Sequence, residues 1–183
     1  MRPEVGQFGS HRMKLRDAAS WLPNHLDRVE RLGHHLGPNL LKLPPRWKRN
    51  VERLDEFLTA APTSMRWAVE LRDPSWVHDD VFATLERHGA ALCLHDLLPG
   101  LPRLRTAGWT YVRFHGPNAT EDPYHGQYGG GRLWRIADQL GTWADDGTDV
   151  YAYFNNDYDG HAVTDAHWLR ARLVPDSSAR PTR

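Results

Sequence analysis

An α/β fold of parallel strands is what this 183-residue sequence predicts. Three observations carry the prediction. Five short runs of apolar, β-branched and aromatic residues alternate with segments whose apolar residues recur at three- and four-residue steps. Most of the runs finish, at their C-terminal ends, in a small polar cluster or a proline turn. The runs are separated by helical segments, with a Pro/Leu-rich connection ahead of the fourth, and strands alternating with helices are the pattern of right-handed β-α-β units and a parallel sheet.

The elements follow in order. From Leu15 to Leu36, Leu15, Ala18, Leu22, Leu26, Val29, Leu32 and Leu36 make one helical face, with Asp17 placed as N-cap, Pro23 early in the helix and Gly37-Pro38 as terminator. Asn39-Leu40-Leu41-Lys42-Leu43 is a short buried strand closed by Pro44-Pro45. A helix from about Asn50 puts Val51, Leu54, Phe57 and Leu58 on one side. Met65 to Arg72 is the second strand, ended by Asp73-Pro74-Ser75-Trp76, and Asp79 to His88 the next helix, with Val81, Phe82 and Leu85 inward. Ala90 to Leu94 is a strand ended by His95-Asp96. Trp109 to Phe114 is the fourth, followed by His115-Gly116-Pro117 and a Gly/Tyr-rich loop. Arg132 to Ala144 carries the stripe Leu133, Ile136, Ala137, Leu140. Val150 to Phe154 is the last strand, ended by Asn155-Asn156-Asp157, and Thr164 to Leu173 the last helix. Residues 175–183 read as a solvated, disordered tail.

Composition narrows the partners. Lys+Arg and Asp+Glu both number 23, so no global field draws in nucleic acid or a membrane surface, and strong nucleic-acid binding is not expected. The single cysteine, Cys93, forms no disulfide within the chain and reads as a buried thiol among small apolar neighbours. No run approaches the ~18 apolar residues of a membrane span, and Met1 to Gly6 lacks the apolar stretch of a signal peptide. A cytoplasmic protein with no membrane contact is the expectation.

Several motifs together resemble one family. Gly37-Pro38 through Trp47, Val69-Glu70-Leu71-Arg72-Asp73-Pro74-Ser75-Trp76, Ala90 to Asp96, Tyr111 to Pro117 and Val150 to Asp157 stand in the order of the domain of unknown function 72 (DUF72, YecE-like) family. The resemblance covers residues 11–174 and implies a parallel (β/α) TIM-type barrel. The family's three opening strands have no counterpart here. The resemblance therefore implies an incomplete barrel covering units 4 to 8, a truncated form in which residues 1–10 are a non-family segment. Uncovered sheet edges would then invite self-association. The loop Tyr124 to Gly131 keeps the family's Tyr/Gly pattern but opens the next helix with glycines where a Ser or Asp cap is usual.

Barrel enzymes place their chemistry at the C-terminal ends of the strands. The candidates there are Glu70, Asp96, His115 and Asp157 as acid/base groups, with Arg72, Trp76, Arg113, Tyr128, Asn155 and Asn156 as ligand-binding groups. Glu70 and Arg72 share a strand face, as do Arg113 and His115, because strand side chains repeat every two residues. The arginines suit a phosphate or carboxylate, and a carboxylate or imidazole beside them suits proton transfer. His95, Asp96, His115 and Asp157 are ligand-type residues, but with no His-x-x-x-His and no Cys pair no metal is assigned. No cofactor motif is present. The expectation is an enzyme-type protein for a small anionic or polar ligand, with hydrolysis of a phosphorylated or glycosidic substrate as the reaction class. The competing readings are a non-catalytic carbohydrate or nucleic-acid module using Trp76 and Tyr128, and an inactive remnant.

Overall fold

Five strands make up the sheet in the computed structural model, which describes residue 1 and residues 3–174; four of them are followed by an α-helix, and residues 96–108, between the third and fourth strands, form none. The strands are β1 (Asn39–Lys42), β2 (Trp67–Glu70), β3 (Ala91–His95), β4 (Trp109–Phe114) and β5 (Asp149–Phe154). They hydrogen-bond in chain order, β1-β2-β3-β4-β5, the arrangement of an incomplete TIM-type barrel. β1 and β2 pair in parallel with Asn39 opposite Trp67 and Lys42 opposite Glu70, and β2 pairs β3 in parallel through Ala68 opposite Ala91. The tail expected over residues 175–183 lies outside the described residues.

Two compact units divide the chain: Met1–Leu94 with Leu98–Tyr111, and His95–Leu97 with Val112 onward. In the first, α1 (Ala18–Glu30), α2 (Val51–Ala60) and α3 (Asp79–Arg87) accompany β1 to β3. Helix α2 starts where expected because the Asn50 side chain accepts from Arg53 N, at 2.9 Å. It buries Leu54, Phe57 and Leu58, and Phe57 stacks on Trp21 at 5.7 Å and meets Trp67 edge-on at 5.5 Å. A Leu buried this way contributes about 1.5–3 kcal/mol.

The first helix departs from expectation. Asp17 precedes it but sits at φ 49°, ψ 49°, and its side chain caps nothing. An N-cap needs extended backbone to turn its carboxylate onto the following N–H groups, and a left-handed residue cannot do so. The helix also stops at Glu30, and a 3₁₀ turn over Gly33–His35 carries the chain on to β1. Ahead of it, Phe8–Arg12 form a π-helical turn. The free side of β1, expected bare, carries Glu4 in a parallel bridge to Leu40, with Val5 N donating to Leu40 O at 2.9 Å.

Two histidines of this unit are disfavoured as cations. Burial holds the pKa of His25 below the ordinary value of 6.5, although its Nε2–H donates to Asn39 Oδ1 at 2.9 Å. Burial, then the charges of Lys42 and Arg72, does the same for His11. A histidine whose folded pKa lies below its unfolded pKa binds fewer protons when folded. The stability it supports is complete above 6.5 and is lost as pH falls through that value. Urea unfolding at about pH 7.5 and about pH 5.5 should therefore give a lower midpoint at the acid end. A His25→Gln variant should show a flatter dependence, and an unchanged dependence would remove His25 from the account.

In the second unit, α4 (Gly129–Asp145) and α5 (His161–Leu173) flank β5. Helix α4 buries the expected stripe Leu133, Ile136, Ala137 and Leu140 but starts three residues earlier than the apolar pattern alone shows, at Gly129. Phe114 stacks on Phe154 at 4.4 Å, and Tyr128 meets Phe114 edge-on at 5.5 Å. No described helix is long and apolar enough to cross a membrane.

Candidate functional site

Within the first unit the polar strand ends are already committed. Glu70, the last residue of β2, is 0% exposed, and Arg72 donates to its Oε1 at 3.0 Å. Cys93 Sγ lies 3.9 Å from Glu70 Oε2. In the neighbouring β1, Lys42 pairs with Glu4 at 2.5 Å. A buried carboxylate needs such a partner to stay ionised, and Arg72 is one for Glu70. Cys93 is buried, as read from its neighbours.

Trp76 was expected as a rim ring for stacking on a ligand, but it is 0% exposed. Its Nε1 donates to Trp47 O at 2.6 Å and its ring meets Trp47 edge-on at 5.0 Å. The Asp73 carboxylate accepts from Ser75 N at 3.0 Å and forms the turn that tucks the indole inward. Burial works to raise the Asp73 pKa, but the Ser75 donors and Lys48 outweigh it and leave it lowered.

The second unit holds a different kind of arrangement. Asp96 follows the end of β3, and its carboxylate gathers donors from two segments. His115 N lies 3.1 Å from each oxygen, His115 Nδ1 lies 2.9 Å from Oδ1, and the Tyr128 hydroxyl donates to Oδ2. A carboxylate facing Nδ1 assigns the ring proton to that nitrogen and leaves a lone pair on Nε2. His115 is 1% exposed, and among the described residues its Nε2 has no hydrogen-bond partner. Asp96 is less enclosed, with its side chain 29% exposed. The rings of His95 and Tyr124 each lie 6.0 Å from that of His115.

Tyr128 is held at both faces of its hydroxyl, which accepts from Gly116 N at 2.7 Å while donating to Asp96. Burial, then the Asp96 charge, pushes its phenol well above the usual range, so it remains a donor. Gly116 is at φ +126°, and a Cβ there would come within 2.5 Å of His125 O. Only glycine permits that approach.

The backbone of Tyr128 is anchored separately. Tyr128 N donates to Asp165 Oδ2 at 3.0 Å and Gly129 N to Asp165 Oδ1 at 3.3 Å. Asn156 Nδ2 donates to the same Oδ2 at 2.8 Å and to Gly126 O at 2.9 Å. Asn156 is buried, and its Oδ1 has no partner among the described residues. Asn155 N donates to Phe114 O at 2.7 Å and extends the strand pairing past β5. Arg113 is buried in β4, while Asp157 is exposed and outside this hydrogen-bonded set.

Of the sequence-predicted residues, the structure thus brings Asp96, His115, Tyr128 and Asn156 into one network. Asp165 belongs to it and was missed. Its signal in the sequence was indirect: a glycine-led helix lacking a local cap needs an acceptor from elsewhere. Among the described residues, no three His, Cys, Asp or Glu side chains gather as a metal site.

Similarity to known proteins agrees with the fold. A DUF72 family protein from Thermotoga maritima is 24% identical, with a TM-score of 0.83 over 94% of this chain and 72% of that one. A DUF72 family protein from Enterococcus faecalis is 16% identical, with a TM-score of 0.80 over 98% of this chain and 76% of that one. No curated protein matches this chain. The profile of the family described as protein of unknown function DUF72 matches residues 3–183, so the chain belongs to the DUF72 family.

Proposed function

We propose that this protein is a hydrolase-type general acid/base catalyst for a small anionic or polar substrate, with His115 as the proton-transfer group. The observation that carries the reading is a buried imidazole with Nδ1 committed to Asp96 and Nε2 without a partner among the described residues. In that state Nε2 can take a proton from an attacking water, and the Asp96 carboxylate stabilises the imidazolium that forms. The proton then returns to the leaving group. Arg113, two residues before His115 and on the same side by strand alternation, is the cation this reading assigns to an anionic substrate.

The test uses p-nitrophenyl phosphate and a panel of p-nitrophenyl glycosides with the full chain. Release of nitrophenol by the wild type, falling about 10²–10⁴-fold in His115→Gln with the melting temperature maintained, is the expected result. Equal turnover in the variant, or none by the wild type on any of these substrates, overturns the reading. The carbohydrate- or nucleic-acid-module alternative loses one of its two stacking rings with the burial of Trp76.

A further inference from the structure

We infer that Asp165 is a positioning residue for the Asp96–His115 pair, acting through Tyr128. The inference rests on the acid/base reading above. Helix α4 opens with Gly129, Gly130 and Gly131, and the Tyr128 side chain makes no cap of its own. The first N–H groups of such a helix need an acceptor, and glycines have little conformational preference with which to hold the turn. Gly129 sits at φ +65°, in the left-handed region.

Asp165, 1% exposed on α5, supplies what the local sequence lacks. Its two oxygens take the N–H groups of Tyr128 and Gly129, and Asn156 ties the same carboxylate to Gly126 O. Both ends of the Gly126–Gly129 turn are therefore fixed to one buried charge. With its backbone set there, the Tyr128 phenol reaches Asp96 and Gly116 N together. None of the described hydrogen bonds of Asp165 goes to His115 or Asp96, so its route to the imidazole by contact runs through Tyr128.

That route has a direction. The phenol draws on the Asp96 carboxylate, and without it more of that charge is available to the imidazolium, so the His115 midpoint rises. Among the described contacts, the ring meets Asp96, His95 and Tyr124, and Tyr128 reaches it through Asp96. A cap that merely stabilised α4 would lower the melting temperature and leave the His115 midpoint alone.

The experiment is a nitrogen-15 NMR titration of His115 in the full chain, in the wild type, Tyr128→Phe, Asp165→Asn and the double variant. An upward shift in each single variant, with no further shift in the double, is expected, because both act on one bond. The inference falls if Asp165→Asn leaves the midpoint at the wild-type value, or if the two shifts add. Should Asp165→Asn fail to fold, Asp165→Glu keeps the charge but displaces Tyr128 by one methylene, and an unmoved midpoint there also overturns it. No substrate is involved, so inactivity towards the nitrophenyl compounds would sink the acid/base reading without touching this coupling.

Discussion

Asp96→Asn should abolish most of the turnover of any substrate this protein hydrolyses, by about 10²–10⁴-fold, with little change in KM. The reason lies in which nitrogen of His115 carries the proton. The Asp96 carboxylate accepts from Nδ1 at 2.9 Å and leaves the lone pair on Nε2. An amide in its place can turn its NH₂ towards Nδ1, which moves the ring proton to Nε2 and removes the base. The amide also no longer stabilises an imidazolium. Steady-state rates with the nitrophenyl panel, together with the nitrogen-15 shifts of His115, test both halves. Wild-type turnover combined with a switched tautomer would show that His115 is not the base. Some stability should also go, about 1–3 kcal/mol, because the Asn has one acceptor oxygen for donors that now share two.

Trp76→Ala is expected to be the most destabilising single substitution discussed, at about 3–5 kcal/mol. That is a large part of the roughly 5–15 kcal/mol that holds a domain folded. The indole is 0% exposed, packs edge-on against Trp47 at 5.0 Å and donates to Trp47 O at 2.6 Å. Truncation leaves a cavity the size of the ring and strands a carbonyl. Trp76→Phe fills most of the space and should cost about 1–3 kcal/mol, chiefly for the unpaired carbonyl. Urea unfolding midpoints at constant m measure both. A Trp76→Ala loss below about 1 kcal/mol would mean the ring is not packed as described, and would reopen it as a ligand-facing residue.

Much of the fold was legible in the chain because the periodicities are strong. The stripe Leu133, Ile136, Ala137, Leu140 and the run Ala90 to Leu94 are short-range signals, and both are buried as their spacing implied. Asn50 was a readable helix start because an Asn side chain reaches an N–H only three residues away. Asp17 stands in the same position relative to α1 and does not cap it, since its backbone is left-handed. Residue type alone does not report φ.

The site was legible only as a set of residue types at strand ends. Among them, Glu70, Arg72, Asp96 and His115 were equal candidates. The structure separates them: Glu70 and Arg72 neutralise each other, whereas Asp96 holds His115, whose Nε2 has no partner among the described residues. Trp76 was misplaced because a Pro-Ser-Trp turn reads as surface, and it is the Asp73 side chain that folds the indole under.

What this sequence determined by itself is its class and its family: five strands set among helical segments, a formal net charge of zero and a run of motifs in DUF72 order, all read from composition and from neighbours a few residues apart. What only the tertiary structure decided is which polar groups meet. Asp96 and Tyr128 are 32 residues apart, and Tyr128 and Asp165 are 37 apart. No local pattern encodes such a contact, because it exists only once burial has brought the segments together and left each buried polar atom to find a partner.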